Sequence, residues 1–337
     1  MAVDAGNAVA ADMAERIDSP NSQVSETTAG RAASARRVCL PTIAVAGCAA
    51  WLAWYGWGVL SQYGPARSIR AGQFELAGPA VLGFVLVVFL IEQVSPAQRR
   101  AVLARGHLLD MGYLLAYATL VVPLIVLTGA GFSAGLARLA PWLVLPHVSA
   151  VPGWCFIAVA VLAIDAVDWL THLGNHLINP LWRLHAVHHS QEELSILTTF
   201  RTHPLVHVSF VISAIPILAI ASNAATPAAV LTTYACLGAL PHANVRWTYG
   251  KAGAVLISPA YHRIHHSATG RLDINLGTVF TIWDRMSRRA VFPVAGKAAA
   301  PTGLSGRPIP VEQAGDRPRL ARTFLTQWAE PFTTNYE

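Results

Sequence analysis

Long uncharged stretches alternate with short polar ones along this chain, and their lengths suit helices that cross a bilayer. Residues 1–37 are small and polar and lack the apolar segment of a secretory leader, so a disordered tail is expected there. Val38 to Leu60 carries no charge, follows Arg31, Arg36 and Arg37, and is long enough to span. A second apolar run, Leu76 to Ile91, lies between Glu75 and Glu92, with Arg99, Arg100 and Arg105 behind it. Met111–Ala137 and Leu139–Ile164 are also free of Asp, Glu, Lys and Arg, and the latter is broken by Pro141, Pro146 and Pro152. The last uncharged region, Thr202–Val245, has Ser222, Asn223 and Thr226-Pro227 near its middle, which predicts a helical hairpin over residues 204–241.

The pattern therefore predicts an all-α, multi-pass transmembrane bundle of about four to six membrane segments: six crossings, or four with a shallow re-entrant pair. Basic residues at 31–37 and 98–105 place the N-terminus in the cytoplasm, and an even number of crossings returns the C-terminus there. The polar stretches 165–203 and 246–337 then share the cytoplasmic face as a cap. Expected divisions are a tail at 1–37, transmembrane helices over 38–154, a catalytic domain at 155–293 and an irregular C-terminal tail at 294–337. Within that tail Phe324, Leu325, Trp328 and Phe332 are candidates for docking on the membrane surface or the core.

Composition sharpens this picture. Hydrophobic residues make up 54% of the 337 and charged residues only 12%, which excludes a disordered chain and disfavours an ordinary soluble enzyme. The net charge of +6 is spread between apolar segments and forms no basic face, so no nucleic-acid partner is expected. Cys39, Cys48, Cys155 and Cys236 are scattered singly, without the spacing of a zinc knuckle, an iron-sulfur cluster or a disulfide framework.

The candidate chemistry lies in histidine. Eleven of the thirteen histidines fall between residues 172 and 266: His172-x-x-x-His176, His185-x-x-His188-His189, His203 and His207, His242, and His262-x-x-His265-His266. On a helix, positions i, i+3 and i+4 share a face, so each box can aim several imidazoles at one region. A single H-x-x-x-H arises readily by chance, and isolated histidines such as His107 and His147 are ordinary. Eight imidazoles packed together without metal would leave many buried donors and acceptors to pair, whereas two ions with four or five ligands each use this number naturally. Imidazole alone does not choose among zinc, copper, iron and nickel, and the absence of H-E-x-x-H disfavours a zinc metalloprotease.

Asp165-x-x-Asp168-Trp169 leading into His172 and His176, Pro180-Leu181-Trp182-Arg183-x-His185-x-x-His188-His189-Ser190, Phe200-Arg201-x-His203-Pro204-Leu205, His242-x-Asn244-x-Arg246 and Tyr261-His262-x-x-His265-His266-Ser267 resemble the fatty acid hydroxylase and sterol desaturase superfamily. Asp273-x-Asn275-x-Gly277 and Trp283-Asp284-Arg285 extend the likeness over about residues 155–290. The resemblance implies an integral membrane, non-haem oxygenase with two iron ions, which uses O2 and external electrons to attack a C–H bond of a lipid. It implies His172, His176, His185, His188, His189, His262, His265 and His266 as ligands, with His242 a ninth and Asn244 holding a metal-bound water. Many relatives carry Glu where this chain has Val206, which leaves His203 as a supporting or substrate-side group. Asp168 and Asp273 are further candidates for orienting ligands, because a ligating imidazole usually donates its other N–H to a carboxylate or carbonyl.

Hydroxylation of an acyl lipid, sterol or related lipid is the expected activity. Desaturation by the same centre is the alternative, and a histidine-rich metal transporter or sensor a distant third. Without a haem-attachment motif, cysteine cluster or dinucleotide fingerprint, electrons are expected from a separate cytochrome or ferredoxin with its reductase. The expected membrane is the inner membrane in a bacterium or the endoplasmic reticulum in a eukaryote.

Overall fold

A computed structural model describes residues 64–102, 104–144, 152–220, 225–294, 299–304, 309 and 320–333. The expected tail 1–37, the run Val38–Leu60, His147, Ser222 and Asn223, and most of 294–319 lie outside the described residues. Ala77-Gly78-Pro79 divides the second apolar run into α1 (Gly64–Ala77) and α2 (Pro79–Val94). Gly78 is extended, and a Cβ there would lie 2.0 Å from the Phe74 carbonyl, while Pro79 fits the first position of a new helix. The next helix, α3 (Arg105–Leu139), widens to a π-helical turn at Tyr117–Val121, just before Pro123, which has no N–H to continue the ladder. It is followed by α4 (Gly153–Leu177) and, after Ile178, by α5 (Asn179–His189), which starts on an Asn-Pro pair.

Short 3-10 turns at Ile196–Phe200 and Pro204–His207 lead into a helical pair, α6 (Val208–Ile220) and α7 (Ala225–Ala239). A further turn, Leu240–His242, ends the pair, and three short or peripheral helices complete the order: α8 (Pro259–His265), α9 (Ile282–Met286) and α10 (Leu320–Thr333). No strand is present among the described residues; Leu256 with Phe280 and Ser267 with Thr302 form isolated bridges.

Three described segments are long and apolar enough to cross a membrane: Arg67–Val94, Arg105–Leu139 and Gly153–Leu177. Exposed Leu86, Leu90, Leu115, Leu120, Val159 and Leu170 on them suit contact with lipid, and the chain is a membrane protein. Among the described residues α6 and α7 run over 13 and 15 residues and flank residues 221–224, which lie outside the description.

Two expectations change. The crossing expected at Leu139–Ile164 is displaced, because its helix begins at Gly153 and continues to Leu177. Counting uncharged residues stops at Asp165, yet the Asp165 carboxylate accepts from the backbone N–H of Val279 and Phe280 and from the Trp283 indole, so the helix carries it inward without interruption. Nor is the C-terminal stretch irregular throughout. In α10, Phe324 packs 4.7 Å from the Tyr113 ring and the buried Gln327 accepts from the Tyr113 hydroxyl, a stripe that seats the helix on α3.

The core nearest the histidines joins Val81, Val85 and Val88 of α2 to Leu109, Tyr113, Val187, Ile196, Phe200, Ala243 and Val245. It encloses one ion pair. Asp110 and Arg201 are fully buried and 2.5 Å apart, and Asp110 also accepts from Gln191 and Thr198, so neither charge lies bare in the apolar interior.

Candidate metal centre

Nine histidines converge from four elements. His172 and His176 lie one turn apart on α4, His185, His188 and His189 on α5, and His262 and His265 on α8, with His266 directly after it. His242 ends the turn that follows α7. They sort into two groups: His172, His176, His185, His189 and His265 in one, and His188, His242, His262 and His266 in the other. Within each group the candidate ligand nitrogens all lie within 4.8 Å of one another.

Helical periodicity explains the partition. In His185-x-x-His188-His189 the first and last residues are four apart and share a face, while His188 is offset toward the second group. The last box does the converse: His262 and His266 face the second group and His265 the first. The groups abut, with the His266 ring 4.6 Å from those of both His188 and His189.

Three backbone carbonyls fix ring orientation. Nδ1 of His172 donates to Leu276 O at 2.7 Å, Nδ1 of His188 to Arg201 O at 3.1 Å and Nδ1 of His265 to Ile274 O at 2.8 Å. Each bond leaves the opposite Nε2 lone pair directed into its group. Burial, and after it the neighbouring imidazoles, hold His185, His188, His189, His262, His265 and His266 well below the ordinary imidazole value, and burial brings His242 down to about 4. Burial thus favours the neutral form of these seven rings.

These nitrogens fit a metal better than they fit one another. His188, His242, His262 and His266 form a chain of Nε2–Nε2 contacts at 3.1, 3.1 and 3.2 Å. An imidazole nitrogen carries one proton or one lone pair, so His242 and His262, each touched on two sides, cannot form hydrogen bonds in both directions. In the first group Nε2 of His176, Nε2 of His265 and both nitrogens of His189 are buried without a partner, an expensive arrangement for polar atoms. Spacings near 3 Å are those of neighbouring ligands around an ion with bonds of about 2.0–2.1 Å.

The other expected residues lie elsewhere. Asp168, four residues before His172, does not orient it, since that task falls to the Leu276 carbonyl; its Oδ2 accepts from the Tyr234 and Thr278 hydroxyls at 2.9 and 2.8 Å. Asn244 is engaged too closely to hold a metal-bound water: its side chain accepts from Gln98 N and Arg263 and donates to Gln98 O. Asp273 pairs with Arg271 and Arg289, which hold its carboxyl down to about 2. His203 caps the Pro204–His207 turn by accepting from Leu205 N, and its other nitrogen contacts Trp328 O of α10.

Asp284 and Glu92 support the centre from outside. Buried Asp284 accepts from Trp169, Tyr261 and the backbone N–H of Leu276 and Gly277, which places the Leu276 carbonyl for His172. Gly277 is required in that loop, because a Cβ would lie 2.6 Å from the Phe280 carbonyl. Glu92 ends the apolar run in sequence, and in the fold it joins two segments by accepting from Ile196 N and Asn244 N.

A cavity of about 220 Å³ opens onto the histidines. Leu76, Val81, Phe200, Val206 and Leu231 are among its apolar walls, and His172, His185, His188, His242 and His262 also line it.

Residues 157–288 match the family described as fatty acid hydroxylase. The chain is 27% identical over 168 residues to ornithine lipid hydroxylase OlsE of Rhizobium tropici, a match covering 49% of this chain and 46% of that protein. It is 28% identical over 143 residues to the alkylglycerol monooxygenase of Caenorhabditis elegans, covering 36% and 24%. The alkylglycerol monooxygenase of Danio rerio is 29% identical over 150 residues, covering 43% and 32%. Each match thus spans less than half of the relative's length. No solved structure matches the chain.

Proposed function

We propose that this chain, whose residues 157–288 match the fatty acid hydroxylase family, is an integral membrane oxidoreductase of that family that hydroxylates a lipid. One observation carries the reading: nine imidazoles fall into two abutting groups of five and four at the end of a largely apolar cavity. His172, His176, His185, His189 and His265 would hold one ion, and His188, His242, His262 and His266 the other. Two iron ions suit the role, because bound iron supplies O2 activation and redox-inert zinc does not.

The protein's own contribution is placement. Leu76, Val81, Phe200 and Val206 receive an apolar chain and exclude water, and the Leu276, Arg201 and Ile274 carbonyls hold the imidazoles in the tautomer that a metal requires. Electrons come from a separate carrier, a cytochrome or ferredoxin with its reductase. This reading assigns both termini to the cytoplasm and the catalytic domain to residues 155–293.

The named relatives are hydroxylases and monooxygenases, which favours oxygen insertion over desaturation. A transporter would distribute its ligands along spanning helices, whereas of the nine grouped histidines only His172 and His176, near the end of α4, lie within a described candidate span. The test is mass spectrometry of host lipids with and without the protein. A gain of one oxygen in a lipid class is expected. A loss of two hydrogens would establish the desaturase instead, and no change in any lipid would remove the enzymatic reading.

A further inference from the structure

Two carboxylates lie within the candidate span Gly153–Leu177, and they differ in what they hold. Both oxygens of Asp165 are occupied by Val279, Phe280 and Trp283. Asp168 uses only Oδ2, which accepts from Tyr234 and Thr278, while Oδ1 has no hydrogen-bond partner among the described residues. Asp168 lines the same cavity as the histidines, and no Lys or Arg is among the residues lining it. A carboxylate in a mostly apolar cavity without a countercharge is costly unless a donor completes it.

We propose that Asp168 is a specificity determinant: its free oxygen accepts a hydrogen bond from a donor on the lipid substrate, so the preferred substrate carries a hydroxyl, amide N–H or ammonium near the carbon that reacts. This rests on the hydroxylase reading and narrows its substrate class. Asp168 precedes His172 by one helical turn, about 6 Å along the axis, so a donor held there leaves carbons a few bonds away facing the histidines. Tyr234 and Thr278 hold the carboxylate in place, and the apolar walls take the remaining chain. An unsubstituted hydrocarbon would leave the carboxylate unpaired and is disfavoured.

The test uses full-length protein in nanodiscs and three single-chain lipids that differ at one position: a free hydroxyl, its O-methyl ether, and an ammonium. Affinity is read from tryptophan quenching, and metal content is measured in parallel. The hydroxyl or ammonium lipid is expected to bind about tenfold or more tightly than the ether, as befits a hydrogen bond to a charged group. Whichever of the two binds more tightly separates a neutral from a cationic donor. In Asp168→Asn the side-chain oxygen can still accept from Tyr234 and Thr278, but an amide now faces the cavity, so the preference should vanish while metal content is unchanged.

Equal affinity for donor and ether lipids, failure of any of them to bind, or a preference that survives in Asp168→Asn overturns the assignment. A residue that merely ties α4 to α7 would leave the ratio unmoved. Oxygen gain measured on the same lipids separates the two claims. Preference without oxidation keeps Asp168 in this role and removes the hydroxylase reading, and oxidation without preference does the reverse.

Discussion

The Leu276 carbonyl accepts from Nδ1 of His172 at 2.7 Å, although the two residues are 104 apart in sequence. Asp284 makes this contact possible, because it takes the N–H of both Leu276 and Gly277 and ties them to Trp169 and Tyr261. Asp284→Ala orphans four buried donors at once. A loss of stability on the order of 3 kcal/mol or more is expected, with reduced metal content, since each unsatisfied buried donor costs about 1–3 kcal/mol. Thermal melting together with metal analysis checks this; a variant that melts like the parent and keeps its full metal content contradicts the role.

Two groups predict two separable losses of metal. His265→Ala removes a nitrogen from the first group and His188→Ala one from the second, so each variant should lose at least one ion per chain and its activity. His203→Ala is the control: its ring contacts Trp328 and Phe332 of α10 and lies in neither group, so metal content should stay at the parent level. Elemental analysis of the three purified variants decides. Full metal in His188→Ala or His265→Ala would exclude that residue as a ligand.

The histidine boxes were legible because their chemistry is written in residue type and spacing: the nine candidates are the nine that converge. Their partners were less legible for a physical reason. The acceptors for His172, His188 and His265 are main-chain carbonyls, which leave no mark on residue type, whereas sequence reasoning can point only to carboxylates such as Asp168 and Asp273. Asn244 resembles a water-holding group in sequence, yet Gln98 and Arg263 occupy it across separations that periodicity cannot reveal. Apolar runs located the bundle, but their ends were misjudged at Asp165, where a charge in sequence is hydrogen-bonded inside the fold.

Val206 lines the cavity alongside His207. Val206→Glu would place an unpaired carboxylate against Phe200 and Leu231, where burying an ionised group is costly. Lipid affinity and turnover should both fall, by about tenfold or more, with metal content retained because Val206 belongs to neither histidine group. Titration with a lipid that the parent oxidises, followed by metal analysis, checks this. A gain in turnover would show that the site is better served by an acid here.

His207 gives the protein a calculable sensitivity to acid. Burial, and after it His203, lowers this imidazole to about 4, and its ring packs 5.3 Å from that of Tyr117. The unfolded value is about 6.5, so between these limits the unfolded chain binds more protons than the folded one. The stabilisation is fully present above about pH 6.5 and is lost as pH falls toward 4, to a maximum of about 3 kcal/mol. His207→Phe keeps a ring against Tyr117 and removes the proton site. Unfolding midpoints of parent and variant should therefore run in parallel above pH 7 and diverge below pH 6.5, the variant losing less as acid is added. Curves that stay parallel down to pH 4.5 would mean that His207 is protonated as readily in the folded protein as in the unfolded one.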